Sequence, residues 1–250
     1  MRPPLQFPGI ASAALDRVIA EQLDAIWGAA ELIVDSYRKG GILQVFGTGH
    51  SRIVTLEFAG RAGGLAPVGM LAVKDLVMFG GVDPGDILDP LYERESGVAE
   101  RVYDLASPQA ADVFLIVSNS GINSAVVEMA ELVTRRGHRL IAITSRAHSS
   151  AVGSRDATER HLGDYAEVVI DNGAPAGDAA LEVAPGVRIG ALSSVVGVFI
   201  AQLVTEAVCR LIFAAGDPLP VFLSANLPEG DLHNAALWAA HRDRIRPIEP

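Results

Sequence analysis

Between residues 11 and 39 apolar side chains recur every three to four positions, among them Leu15, Val18, Leu23, Ile26, Ala30, Ile33 and Tyr37. That spacing predicts one long amphipathic helix, closed by Gly40-Gly41. The next apolar run, 42–46, is too short for a helix and stops abruptly at Gly47-Thr48-Gly49-His50-Ser51. It predicts a strand, and a helical pattern over 53–62 follows, ending at Gly63-Gly64. Residues 65–73 predict a second strand. Residues 79–90, FGGVDPGDILDP, predict a loop by their Gly, Pro and Asp.

The alternation continues through the rest of the chain. A helix with an acidic start is predicted over 95–106. Residues 113–117 form a continuous apolar run, as in a strand buried on both faces, and end in Ser118-Asn119-Ser120-Gly121. A helix over 123–136 follows, then strands over 140–143 and 166–170, the second leading into the loop DNGAPAGDA. A long apolar helix is predicted over about 187–215, a Pro- and Gly-punctuated tail over 217–230, and a short helix from about 231. Five strands alternating with helices predict an α/β fold, a parallel sheet between two helical layers. No linker divides the chain, so residues 1–250 are expected to form a single domain. Its parts are the N-terminal helix (about 11–39), an α/β core (about 42–215) and a C-terminal tail (217–250).

Composition narrows the function. Half the residues are apolar and 20% are charged, which excludes disorder as the general state. The formal charge is −10, and with no dense run of Lys or Arg this argues against a nucleic-acid partner. A phosphate ligand stays open, because backbone N–H groups hold phosphate without net positive charge. Cys209 is the one cysteine. It lies in an apolar helical run and reads as a small buried hydrophobe, so a reducing, cytoplasmic setting is expected. The opening MRPPLQFPGI lacks the charged-then-apolar pattern of a signal peptide. Only thirteen residues separate Arg188 from Gln202, short of the ~20 that span a bilayer. The long apolar helix therefore reads as a core or dimer-interface helix, and no membrane partner is expected.

Ligands of open α/β sheets sit at the carboxyl ends of the strands. Two strand ends here carry glycines and hydroxyls directly before a helix: Gly47-Thr48-Gly49-His50-Ser51, and Ser118-Asn119-Ser120-Gly121-Ile122-Asn123-Ser124. Glycine lets backbone approach a ligand, hydroxyls donate hydrogen bonds, and the helix start adds N–H groups and a favourable dipole. One such loop is often no more than a tight entry into a helix. Two on neighbouring strands point to one anionic group. Neither matches a nucleotide signature: Val54 stands where the third glycine of G-x-G-x-x-G would fall, and no Gly-Lys-Ser/Thr is present.

A strand ending in G-x-G-x-S, then another ending in S-x-S-G-x-x-S, resembles the sugar isomerase (SIS) domain. The forms FGTGHSRIVTLEFAGRAGGL, VSNSGINSAVVEMA and SANLPEGDLHNAAL are similar to a group of single-domain SIS proteins related to phosphoheptose isomerases and N-acetylmuramic acid 6-phosphate etherases. The likeness runs from about residue 10 to 245. It implies a three-layer α-β-α sandwich with a five-stranded parallel sheet in the flavodoxin-like manner, flanked by the N-terminal helix and the C-terminal helical tail. It also implies that Ser51, Ser118, Ser120 and Ser124 hold a sugar phosphate, with Asn119 and Gly121 giving backbone or amide contacts. Gly47, Thr48, Gly49, His50 and Asn123 complete the two loops, His50 either touching the sugar or filling the turn. A homodimer or homotetramer, with sites completed by a neighbouring chain, is implied too.

Removing a proton beside a carbonyl needs a base within reach, often a carboxylate shielded from water. Glu57 follows Ser51 on the helix opened by the first loop, among Leu56, Phe58 and Ala59, where burial would raise its pKa. Arg61 lies one turn further and offers a salt bridge instead. The related isomerases and etherases carry their Glu ten positions after the serine, where this chain has Arg61. Glu93 and Glu95, in LYERESG, supply a second acid or a simple helix cap, with Tyr92 beside them. The etherases take a second acid from a comparable region, and Glu95 is the expected one. His233, after the N-cap candidate Asp231, is a surface histidine or the group that protonates a ring oxygen or departing hydroxyl. His138, His148, His161 and His241 lack ligand spacing, so neither a metal nor another cofactor is expected. The aminosugar-handling members of the resemblance favour dehydration of an N-acetylhexosamine 6-phosphate such as N-acetylglucosamine 6-phosphate. Aldose–ketose isomerisation and a non-catalytic sugar-phosphate regulator are the alternatives.

Overall fold

Two helices, α1 (Phe7–Glu21) and α2 (Leu23–Arg38), stand where periodicity predicts one. The computed structural model describes residues 2–89, 91–155, 159–246 and 248. The helical path breaks at Gln22, whose φ and ψ are −116° and 0°. Its side-chain oxygen accepts a hydrogen bond from the Asp171 backbone N–H at 3.0 Å. Arg17, on the turn before, donates to the Asp171 carboxylate at 3.1 Å. The bend therefore coincides with tertiary bonds to a strand end far away in sequence, and the apolar stripe runs through it unchanged.

The sheet elements follow the predicted order. They are β1 (Leu43–Gly47), α3 (Arg52–Phe58), β2 (Val68–Leu71), then the one-turn helices α4 (Asp75–Met78) and α5 (Pro84–Ile87). The second of these falls inside the stretch expected to be loop. Asp83 caps it by accepting from the Gly85 N–H at 2.7 Å, and Pro84 fills its first position. Next come α6 (Val98–Ala106), β3 (Val113–Val117), α7 (Ser124–Arg135), β4 (Arg139–Thr144), α8 (Arg146–Ala151) and β5 (Val168–Asp171). The five strands lie in the order β2-β1-β3-β4-β5, every neighbour parallel. Alternate residues feed two cores. Val45, Leu115 and Ile141 pack toward α2, while Phe46, Ile116 and Ala142 pack with Met129 and Val133 of α7. Burial on both faces is why these strands read as continuous apolar runs. The chain reverses direction across the sheet between β1 and β3, the position where open sheets bind ligands.

The last elements are β6 (Ala179–Ala184), β7 (Val187–Ala191), α9 (Leu192–Ala214) and α10 (Gly230–His241). The predicted helix over 187–215 is thus too long by five residues at its start, since Val187–Ala191 pairs antiparallel with β6, Leu181 opposite Ile189. Pro185-Gly186 makes the turn, with Gly186 at φ +75°. The Asp178 carboxylate then accepts from the N–H groups of Leu192 and Ser193 at 3.0 and 2.7 Å, starting the helix there. Val196, Ile200, Val204, Val208 and Ile212, four residues apart, form its buried stripe against α2 and α3. Among the described residues only α9 is long and apolar enough to cross a membrane, and half of that window is buried inside the protein.

The amino ends of β1 and β3 are sealed by polar bonds. Asp112, with no exposed side-chain surface, accepts from the N–H groups of Ile42 and Gln109 and from Gln44 and Arg244. The Arg244 contact is 2.6 Å and ties the segment after α10 to this end of the sheet. The opposite end carries the two loops.

Candidate functional site

β1 and β3 are neighbours, with Gly47 paired directly to Val117. The two serine-bearing loops therefore leave adjacent strand tips. A side chain at Gly47 would come within 3.2 Å of the Val117 carbonyl oxygen and 3.3 Å of the Ser51 carbonyl oxygen. Glycine is what lets the loops approach this closely. From Gly49 to Ser51 the chain makes a single 3-10 turn into α3. In the second loop Gly121 has φ +67°, and its N–H donates to the Ser118 hydroxyl oxygen at 3.1 Å. Asn123 is the residue before α7 but does not cap it with its side chain. Among the described residues the hydroxyls of Ser51, Ser120 and Ser124 make no hydrogen bond. Three hydroxyls and an uncapped helix start thus lie at neighbouring strand ends, an arrangement suited to an anion.

A cavity of about 390 Å³ opens beside them, lined by Thr48, Gly49, Arg52, Lys74, Tyr92 and Glu93 among others. Glu93 lies on the 3-10 turn Tyr92–Arg94. Its Oε1 accepts from the Asn123 amide at 2.7 Å. Its Oε2 lies 3.6 Å from the place a side chain on Gly49 would start. One carboxylate therefore reaches both loops. The Asn123 side-chain oxygen in turn accepts from Arg155 at 2.7 Å. Tyr92 is buried, and its hydroxyl oxygen accepts from Arg101 at 3.0 Å, which leaves its own proton for another acceptor. Arg52 and Lys74 bring positive charge to the cavity wall. Burial pulls the Lys74 ammonium below the ordinary lysine range, Asp75 works against that and Arg52 adds to it.

Three residues expected to act on the substrate lie elsewhere. Glu57 is bound by Arg61, one turn on, and by the Gln202 side chain of α9, and it does not line the cavity. The reason is the helical pitch. Arg52 faces the cavity, and five residues further along α3 the side chain has turned by about 140°. Glu95 is exposed at the end of its 3-10 turn, outside the cavity. His233 is exposed on α10, where its Nε2 donates to the Val221 carbonyl at 2.9 Å and ties that helix to the tail. His50 is exposed too and lines a small cleft with Ser51 and Asn119, across the loops from the cavity. Asn119 turns its side chain toward Asn172 and His148. Sequence reasoning weighed Glu93 beside Glu95 and chose the other. Arg52 and Lys74 went unnoticed because isolated basic residues carry no pattern. Among the described residues no group of three or more His, Cys, Asp and Glu is placed to hold a metal.

The SIS domain family model matches residues 6–145, a span that holds both loops and every cavity residue named above. The chain belongs to the SIS domain family. Its SIS relatives include a UPF0309 protein of Halalkalibacterium halodurans, 37% identical over 225 residues, covering 90% of this chain and 91% of the relative. A Brucella canis UPF0309 protein is 37% identical, with 86% of each chain covered, and a Listeria innocua one is 32% identical, with 92% of each. Among solved SIS-like folds, an Escherichia coli protein in complex with a sugar phosphate aligns with a TM-score of 0.51 at 17% identity, over 82% of this chain and 87% of that one. The phosphoheptose isomerase of Neisseria gonorrhoeae aligns with a TM-score of 0.51 at 16% identity, over 80% and 93%. A Bacteroides fragilis protein described as a phosphosugar isomerase involved in capsule formation gives 0.51 at 22%, over 80% and 86%. At these identities the structural likeness establishes the SIS fold.

Proposed function

We propose that this SIS chain binds a phosphorylated sugar and moves a proton beside its carbonyl, with Glu93 as the base. The phosphate sits against the two loops and the sugar fills the neighbouring cavity. One observation carries the reading: Glu93 contacts Asn123 of the second loop and packs on Gly49 of the first, so a ligand held by both loops meets this carboxylate. Ser51, Ser118, Ser120 and Ser124 donate to the phosphate together with the first turn of α7. The sugar-phosphate complex of the Escherichia coli protein and the isomerase names of the other SIS folds support this ligand class.

In the open-chain sugar Glu93 takes the C2 proton, and the electron pair moves to form the C1–C2 double bond and an oxyanion at O1. Arg52 and Lys74 stabilise that oxyanion electrostatically. Loss of the C3 hydroxyl with a proton, as water, completes a dehydration. Return of the proton at C1 completes an isomerisation. The reading we favour is dehydration of an N-acetylhexosamine 6-phosphate, whose acetamido group at C2 blocks the route to a simple ketose. Aldose–ketose isomerisation is the second reading, supported by the names of the similar folds. A non-catalytic sensor is a third, favoured by the capture of Glu57 by Arg61 and Gln202. Glu57, Glu95 and His233 take no step in the proposed chemistry.

Incubation with N-acetylglucosamine 6-phosphate in deuterated water tests all three. Exchange of the C2 hydrogen with loss of water is the expected result, and exchange with ketose formation from another hexose phosphate selects isomerisation. Binding without exchange for any hexose phosphate leaves the sensor. We also propose that the chain works as a homo-oligomer in the cytoplasm. Ile53, Leu56 and Val195 are exposed on α3 and α9, two helices that pack together, and offer an apolar face to a second copy.

A further inference from the structure

The second loop is held by a closed ring of hydrogen bonds that joins the tips of β3, β4 and β5. Its directions follow from one end. The Ala174 backbone N–H can only donate, so the Asn172 side-chain atom 2.9 Å away is the amide oxygen. The Asn172 amide nitrogen then donates to Asn119 Oδ1 at 3.1 Å. Asn119 is left to point its own amide nitrogen at His148 Nδ1, also 3.1 Å away. That nitrogen has to accept, so the His148 ring is neutral and carries its proton on Nε2.

The backbone completes the ring. The His148 N–H donates to the Ser145 hydroxyl oxygen at 3.0 Å, and that hydroxyl donates to the Ala174 carbonyl at 2.6 Å. The Ser145 N–H donates to the Asn119 carbonyl at 3.0 Å. Asn119 is thus gripped by side chain and backbone together, between two serines of the loop. Its amide is oriented by the protein before any ligand arrives.

We infer that His148 is a positioning residue: by accepting from Asn119 it holds the second loop in the shape that receives the phosphate. This rests on the proposed phosphate role of that loop. The physical content is preorganisation, since a loop already locked loses less freedom on binding. Leucine at position 148 keeps bulk but removes the acceptor, leaving the Asn119 amide without its partner. Glutamine offers an amide oxygen in its place.

Titration calorimetry of the full chain with N-acetylglucosamine 6-phosphate and with inorganic phosphate tests this. For His148→Leu we expect about tenfold weaker binding of both, the effect of one lost hydrogen bond at a half-buried site. His148→Gln should restore affinity to within about threefold of wild type, an outcome a purely space-filling role would not give. In Asn119→Ala the further change His148→Leu should add no loss, because the two act as one unit. Nitrogen-15 spectra of the ring should show Nδ1 bare and Nε2 protonated. A proton on Nδ1 overturns the inference, as does equal weakening by Leu and Gln or none by either. Wild type that binds neither ligand removes the phosphate reading itself, and the inference with it. Wild-type binding that both variants match removes the inference alone.

Discussion

Arg52 and Glu57 stand five residues apart on α3, and that interval separates the cavity wall from the face toward α9. Glu93 reaches the same cavity from a different segment. The two carboxylates should therefore respond oppositely to removal of their charge. Glu93→Gln keeps the shape and a hydrogen-bonding group but removes the base, and we expect C2–H exchange to fall about a hundredfold or more, the usual worth of a general base. Glu57→Gln should keep exchange within about threefold of wild type, with a loss of stability of about 0.5 kcal/mol, the order expected of one partly exposed ion pair. Comparison of the two exchange rates by proton NMR decides between them. At this scale the sequence was half legible. Ser51, Ser118, Ser120 and Ser124 announce themselves by sitting on glycine-bearing turns at strand ends. The acid does not, because a Glu beside a Ser in sequence and a Glu beside a Ser in space are unrelated facts.

At the scale of elements, the amino end of the sheet is a stability device and the carboxyl end is the working face. Asp112 gathers four donors below β1 and β3, one of them from Arg244 after α10. Asp112→Ala leaves the Arg244 guanidinium without its buried acceptor, and we expect a loss of about 3 kcal/mol. Urea unfolding followed by circular dichroism reads that change. Sugar-phosphate affinity of the folded protein should stay within about twofold, since the loops lie at the other end of the strands. The strands themselves were legible: 113–117 was placed without error, because burial on both faces leaves a run with no polar gap. The bend at Gln22 and the hairpin at Val187 were not. The first depends on Asp171, a partner far along the chain. The second hides in an apolar stretch that suits either a strand or a helix until Asp178 caps the N–H groups of Leu192 and Ser193.

At the scale of the molecule, α9 is the element least explained by one chain. Half of its apolar window is buried, and Phe213 is 73% exposed near its end. Together with Ile53, Leu56 and Val195 this is the face we assign to a second copy. Light scattering coupled to gel filtration should give a mass of two or four chains. Leu56→Glu should shift it toward one chain, and a monomeric wild type would refute the assignment. Charged substitution acts here because an unpaired charge is costly in an apolar interface.

What the amino-acid order determined by itself is the succession of strands and helices, the parallel sheet and the two loops suited to an anion. Each follows from periodicity or glycine placement within a few residues. Only the tertiary structure decided that Glu93, not Glu57 or Glu95, meets both loops, and that His148 steadies one of them. Those outcomes depend on which helix faces and loop tips meet across the sheet, and local spacing sets the face a residue occupies but not what stands opposite.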